Sequence, residues 1–442
     1  MRETARKLIG RLGTRGGIET TGWVFASYGV GAVAAFALQM VLAGALGLEG
    51  YGRLAPALAV AALFETIVIA RGADTALGLF AGRAHRGDRA WAGLALELVL
   101  VDAVWLGAST AVYLAALAAV GQIMRLDWPL LALLGLATFA QFTWATCKSA
   151  QIVFEPVRRQ AQLETAAAVT GFVLPAAGLW MGGALGFGWG SVAAGAAKSA
   201  LAWGFLAPRL RGARLAPPGR RETSFAELRR LGGLALMRSS ATFLTGQIDI
   251  LLLALSGSPA AVGLYRAART LSNVPARVAA PVWTLARKSV VAGLHHGGLK
   301  EARGRIVLIG LGLAALFVPG MALAWLWGDE LLALAFGPGF APAALALLIL
   351  LPSSWLFGVV TGWARFAAAV APRKIVTSLA FVAQGLLCVL LWAAFRPSTA
   401  EGMAWVVAAA GVATSAVFWV ALFNEKLLLG PKPAAAAAEV ET

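Results

Sequence analysis

The chain has 442 residues, of which 60% are hydrophobic and only 13% charged, with a mean hydropathy of +0.77. That balance excludes a soluble globular protein, whose charged share runs near a quarter. A net charge of +16 and a pI near 10.9 would fit a nucleic-acid partner in a soluble domain, but the placement of the charge, below, excludes one.

Apolar runs of about 20 residues, the length of a membrane-crossing helix, recur along nearly the whole chain. Twelve spans are predicted: 22–46, 54–72, 91–120, 130–148, 163–183, 187–207, 231–255, 262–286, 304–327, 341–364, 374–395 and 402–423. The opening segment RETARKLIGRLGTRGG precedes an apolar run longer than the ~7–15-residue core of a signal peptide, so the first span reads as retained. Leu8, Ile9 and Leu12 among its charges fit either a surface-lying amphipathic helix or a solvated arm. Lys and Arg crowd alternate connections, from Arg2 to Arg15, Arg71 to Arg89, Lys148 to Arg159, Arg209 to Arg230, Arg287 to Arg305 and Arg365 to Lys374. The other loops hold only Arg53, Arg125 and Arg396. This alternation is the positive-inside rule, and it predicts a multi-pass protein with both termini cytoplasmic. Only Lys198, Arg238, Arg266, Arg269 and Arg277 fall inside spans away from their cytoplasmic ends and need another explanation.

Span 1 ends in LGLEGYGRLAPA, a Gly-rich outer turn, and span 2 carries Glu65 and closes with Arg71 and Asp74 spaced for a local pair. Span 3 holds Glu97 and Asp102, the latter near the predicted midplane. A carboxyl there is either a proton-coupling group or a buried polar link to another helix. Span 4 ends in a polar face of Gln141, Thr143, Lys148, Ser149 and Gln151, and span 6 carries Lys198 among small residues, which points to a cavity. The connection 208–230 has the Pro, Gly and Arg composition of a linker, and divides the chain into six-span halves, 1–207 and 231–430, before a disordered tail at 431–442. Gly50-Tyr51-Gly52-Arg53 and Gly263-Leu264-Tyr265-Arg266 occupy similar places just past an outer turn, as a parallel repeat would give.

In span 7, Arg238 and Asp249 lie eleven residues apart, which returns both to one helical face. In span 8, Arg266, Asn273 and Arg277 share one azimuth to within about 20°, with Arg269 about 60° away, forming a cationic stripe. A guanidinium at mid-bilayer costs at least about 2.5–3.5 kcal/mol, so these groups are expected to face protein or a hydrated cavity. Asp249 is the expected partner or gate of Arg266. Pro275 and Pro281 are expected to kink span 8. Between spans 9 and 10, DELLALAFGPGFAPA reads as a short outer helix and a Gly-Pro turn. Cys147 and Cys388 fall in apolar runs and imply neither disulfide nor metal site.

The motifs LGLEGYGRLAPALA, GQIDILLLALSGSPAAVGLYRAARTL and LLALAFGPGFAPAALALLILLP, in this order, resemble those of bacterial polysaccharide or O-antigen flippases in the multidrug/oligosaccharidyl-lipid/polysaccharide exporter superfamily. The resemblance implies an all-α protein of about twelve transmembrane helices, in two six-helix lobes around a central cavity, in the bacterial inner membrane. It implies no catalytic chemistry and no cofactor, and a cargo of undecaprenyl-pyrophosphate-linked oligosaccharide for lipopolysaccharide or exopolysaccharide synthesis. Membrane lipids, a polysaccharide polymerase and glycosyltransferases would be its partners. Arginine suits such a cargo because its planar fork binds phosphate oxygens bidentately and stays charged. Arg238, Arg266, Arg269, Arg277 and Lys198 are the expected cargo-binding cations, and Asp249, Glu65, Glu97 and Asp102 the expected gating or coupling acids. An ion-coupled efflux antiporter of the same fold is the main rival. A membrane enzyme is disfavoured by short outer loops and by the cytoplasmic placement of His85, His295 and His296.

Overall fold

The computed structural model describes residues 15–69, 91–124, 127–211, 246–277, 311–312, 315, 317–356 and 375–423. Eleven α-helices are described: α1 (Arg15–Ile69), α2 (Trp91–Met124), α3 (Trp128–Ala140), α4 (Phe142–Phe154), α5 (Val157–Leu210), α6 (Ile248–Ser256), α7 (Pro259–Ser272), α8 (Phe317–Phe336), α9 (Ala344–Trp355), α10 (Ile375–Phe395) and α11 (Ala400–Phe423). A 3₁₀ turn, Pro338–Ala343, joins α8 to α9. Six helical stretches are long and apolar enough to cross a membrane, and two shorter apolar helices lie at 382–395 and 400–416.

Two of the six stretches are each a pair of spans. α1 is interrupted at Gly47 (φ 65°, ψ −179°) and α5 at Gly182 and Gly183, the latter at φ 58°. Left-handed backbone of this kind clashes with a Cβ, so glycine is what lets each chain turn back within a residue or two. Each arm of α5 rises about 39 Å at 1.5 Å per residue, enough for a ~30 Å hydrocarbon layer and its interfaces. The expected span 4 is likewise split, into α3 and α4, by Gln141 at φ −94° and ψ 5°. With these divisions every predicted span has a described helix within it. The helix and Gly-Pro turn before span 10 are as read: α8 bends at Trp327, continues to Phe336, and Gly337 (φ 108°) leads into the 3₁₀ turn.

α1 packs along α5, which also holds α3 and α4, while α9, α10 and α11 pack together in the second half. α7 packs against both α1 and α9 and forms a seam between the first half of the sequence, up to residue 211, and the second, from residue 246 on. A continuous core crosses that seam, with Leu42, Tyr51, Leu131, Leu253, Tyr265 and Phe336 fully buried. Phe36 meets Phe336 edge-on at 5.9 Å and Tyr51 meets Phe340 at 5.8 Å, so aromatic rings from α1 lock onto the α8 end of the second half. A second cluster around Leu98, Trp144, Cys147 and Phe205 packs α2, α4 and α5.

Candidate functional site

The seam is built by small residues, as helix association in lipid requires. A Cβ at Gly52 would lie 1.7 Å from the Pro259 carbonyl oxygen, and one at Gly263 would lie 2.5 Å from that of Leu48. The contact is reciprocal, as a local two-fold axis between α1 and α7 produces. It pairs Leu48 with Pro259 and Gly52 with Gly263, and so moves the repeat alignment by two residues from the one the sequence suggested. The same register pairs Ala55 with Arg266, and these two residues do meet: Arg266 Nη1 donates to the Ala55 carbonyl at 3.2 Å. Arg266 Nε donates to Gln39 Oε1 at 3.3 Å, Tyr51 OH donates to the same oxygen at 2.8 Å, and the guanidinium lies 5.6 Å over the Tyr51 ring. One cation of the second half is thus held by a carbonyl, an amide and an aromatic face of the first. Above it, a cavity of about 970 Å³ opens at the end of the seam, lined by Arg53, Asp127, Leu255 and Pro259 among others.

Arg269, nearly one turn on, reaches a different neighbour. It forms an ion pair with Asp249, which is 2% exposed, and Nη1 also donates to Tyr265 OH at 3.3 Å, while that hydroxyl donates to Asp249 Oδ2. The expected pairing of Asp249 with Arg266 is therefore corrected: α6 and α7 bring Asp249 to Arg269, and Arg266 points across the seam. The stripe is also interrupted. α7 ends at Ser272, Asn273 caps it, and the chain resumes a helical turn that leaves Arg277 exposed. This break lies just ahead of Pro275, the first of the two prolines expected to kink the span; Pro281 falls outside the described residues.

Lys198 and Glu65 lie elsewhere, together. Both line a cavity of about 220 Å³ inside the first half, where Gln141 Nε2 donates to Glu65 Oε1 at 3.1 Å. Glu97 is buried on α2, in the run that supplies Leu94 and Leu98 to the second core cluster. Arg238 and the Arg71–Asp74 pair fall outside the described residues, as does the side chain of Asp102. The sequence reading passed over Gln39; its only signal was a single amide in an otherwise apolar run.

The fold is that of polytopic transporters. An inward-facing multidrug resistance MATE transporter of the MOP superfamily aligns over 89% of this chain and 94% of its own, at 12% identity and a TM-score of 0.67. The lipid II flippase MurJ in an inward closed conformation aligns over 92% and 88%, at 12% identity and a TM-score of 0.66. A MOP superfamily transporter from Pyrococcus furiosus, described as having a binding pocket of reversed polarity, aligns over 92% and 96%, at 12% identity and a TM-score of 0.65. No curated protein matches the sequence. The family of polysaccharide biosynthesis proteins matches over residues 18–287, and the chain belongs to that family.

Proposed function

We propose that this chain is a flippase carrying undecaprenyl-pyrophosphate-linked oligosaccharide across the bacterial inner membrane by alternating access, for lipopolysaccharide or exopolysaccharide synthesis. Residues 1–207 and 231–430 are the two lobes, 208–230 the cytoplasmic linker, and glycosyltransferases and a polymerase act before and after it. The observation that carries this reading is the position of Arg266. In a member of the polysaccharide biosynthesis family, it places a guanidinium at the seam between the halves, held among the described residues by neutral groups alone and so still able to compensate an anion. A pyrophosphate crossing hydrocarbon needs such a fixed cation, and Arg277, exposed further along the same segment, and Arg238 supply others. Arg269 is already neutralised by Asp249 and belongs to the scaffold of the second half.

The test is complementation of a strain lacking the gene. Loss of one charge-assisted contact is worth about 1.5–3 kcal/mol, so Arg266→Ala is expected to cut surface polysaccharide roughly ten- to a hundredfold at normal expression, with Arg277→Ala weaker. Wild-type polysaccharide in both variants overturns the reading. Loss of resistance to cationic drugs, with polysaccharide intact, would select the efflux antiporter instead.

A further inference from the structure

The cavity inside the first half is not on the seam, and its chemistry is different. Among the described residues, Glu65 and Lys198 are its only charged lining groups, with Gln141, Thr138 and Ser191 as polar neighbours. Gln141 reaches Glu65 from the point where α3 gives way to α4, and Ser199 donates to the Ala140 carbonyl at 2.5 Å, so α5 is tied to that break. Thr138 and Ser191 direct their protons to the carbonyls of Leu134 (3.2 Å) and Phe187 (2.8 Å). Each hydroxyl oxygen therefore keeps lone pairs for a cation. A carboxylate and two hydroxyl oxygens in an otherwise largely apolar lining are donors of the hard oxygen type that a metal cation such as sodium takes. Lys198 enters the same space: a Cβ on Gly171 would lie 3.1 Å from its Nζ.

We propose that the Lys198 ammonium stands in for a metal ion in a cation site built by Glu65, Thr138 and Ser191, so that this half exchanges protons and excludes sodium. A proton added to the Glu65 carboxylate takes the two groups together from net neutral to one positive charge and removes the carboxylate's attraction for the lysine head. Tyr113, whose ring stacks on Phe64, donates its hydroxyl proton to the Leu131 carbonyl at 3.1 Å and takes no part. Leu38 and Leu58, which occupy the positions matching Asp249 and Arg269 in the repeat register, also line this cavity. The second half therefore carries an internal ion pair and the first a carboxylate and an ammonium in one cavity, drawn from different positions of the repeat.

The proposal is independent of the cargo, and so is its test. Sodium-22 binding is measured on the purified full-length chain at neutral pH. The unaltered protein is expected to bind none saturably, Lys198→Met to gain one saturable site, Lys198→Arg to gain none, and Lys198→Met with Glu65→Gln to lose the gain. Labelling of Glu65 by dicyclohexylcarbodiimide in native membranes, read by mass spectrometry, needs no variant at all. It is expected to rise as pH falls and to ignore sodium. Sodium protection of Glu65 in the unaltered chain, or no sodium gain in a folded Lys198→Met protein, overturns the proposal.

Discussion

Asp249, Arg269 and Tyr265 form a buried charge network whose members cannot be removed one at a time. Truncating one partner of a buried pair leaves the other charge without compensation, at about 3–5 kcal/mol, whereas replacing both by apolar groups is often near neutral. Asp249→Leu alone is therefore expected to lower the thermal midpoint of the purified protein sharply, and Asp249→Leu with Arg269→Met to recover most of the loss. Equal midpoints for the single and double variants would refute the pairing. Because the double variant keeps Arg266, it is expected to retain transport, which would separate a scaffold arginine from the proposed cargo arginine. Tyr265→Phe, which deletes only the hydroxyl bonded to the carboxylate, is expected to cost about 1.5–3 kcal/mol. The sequence made these arginines conspicuous but gave them the wrong neighbours. A helical wheel places Arg266 and Arg277 on one face only if the helix is unbroken, and Asn273 ends it between them. Nor does periodicity within a span say which other span it will meet, so neither Gln39 with Arg266 nor Glu65 with Lys198 was legible, although each residue was readable as polar and buried in a membrane.

At the scale of elements, the reciprocal approach of Gly52 and Gly263 makes α1 and α7 a closed contact at this end of the molecule. The obstacles to a side chain there are backbone carbonyls, which cannot rotate away as a flexible side chain would. Gly52→Val is therefore expected to push the two helices apart rather than be absorbed. Spin labels at Glu49→Cys and Ser258→Cys, both exposed and flanking the contact, are expected to report a longer distance in the Gly52→Val background. Flipping is expected to fall with it, since the halves could no longer seal this end. An unchanged label distance would mean that the contact is not a constraint. Here the sequence was a better guide: the glycine-rich turns after spans 1 and 7 were recognised as counterparts. The two-residue shift in register arose because a short motif can be matched on its first glycine or on the one that packs.

For the whole molecule, the twelve-span reading makes a demand that the helix ends can meet or fail. Arg53, Asp127 and Pro259 line one cavity, and Gly257 packs against the Ser398 carbonyl beside Arg396, so the sparsely charged loops gather at one end. The opposite end of α5 holds Glu155, Arg159 and Arg209, with Arg209 bonded to Glu155 at 2.6 Å and stacked over Phe205 at 4.2 Å. If positive charge sets orientation, the first end faces the periplasm and the second the cytoplasm. The native thiols Cys147 and Cys388 are both buried and leave a quiet background. In cells with a permeabilised outer membrane, a membrane-impermeant maleimide is expected to label Arg53→Cys and Ser258→Cys at once, and Arg159→Cys and Arg211→Cys only after lysis. Labelling of Arg53 and Arg159 from the same side would break the span count between them, and would remove Arg266 from the path of a cargo that enters from the cytoplasm. The reverse pattern would keep the fold and the charge pairs but invert the direction in which this transporter loads.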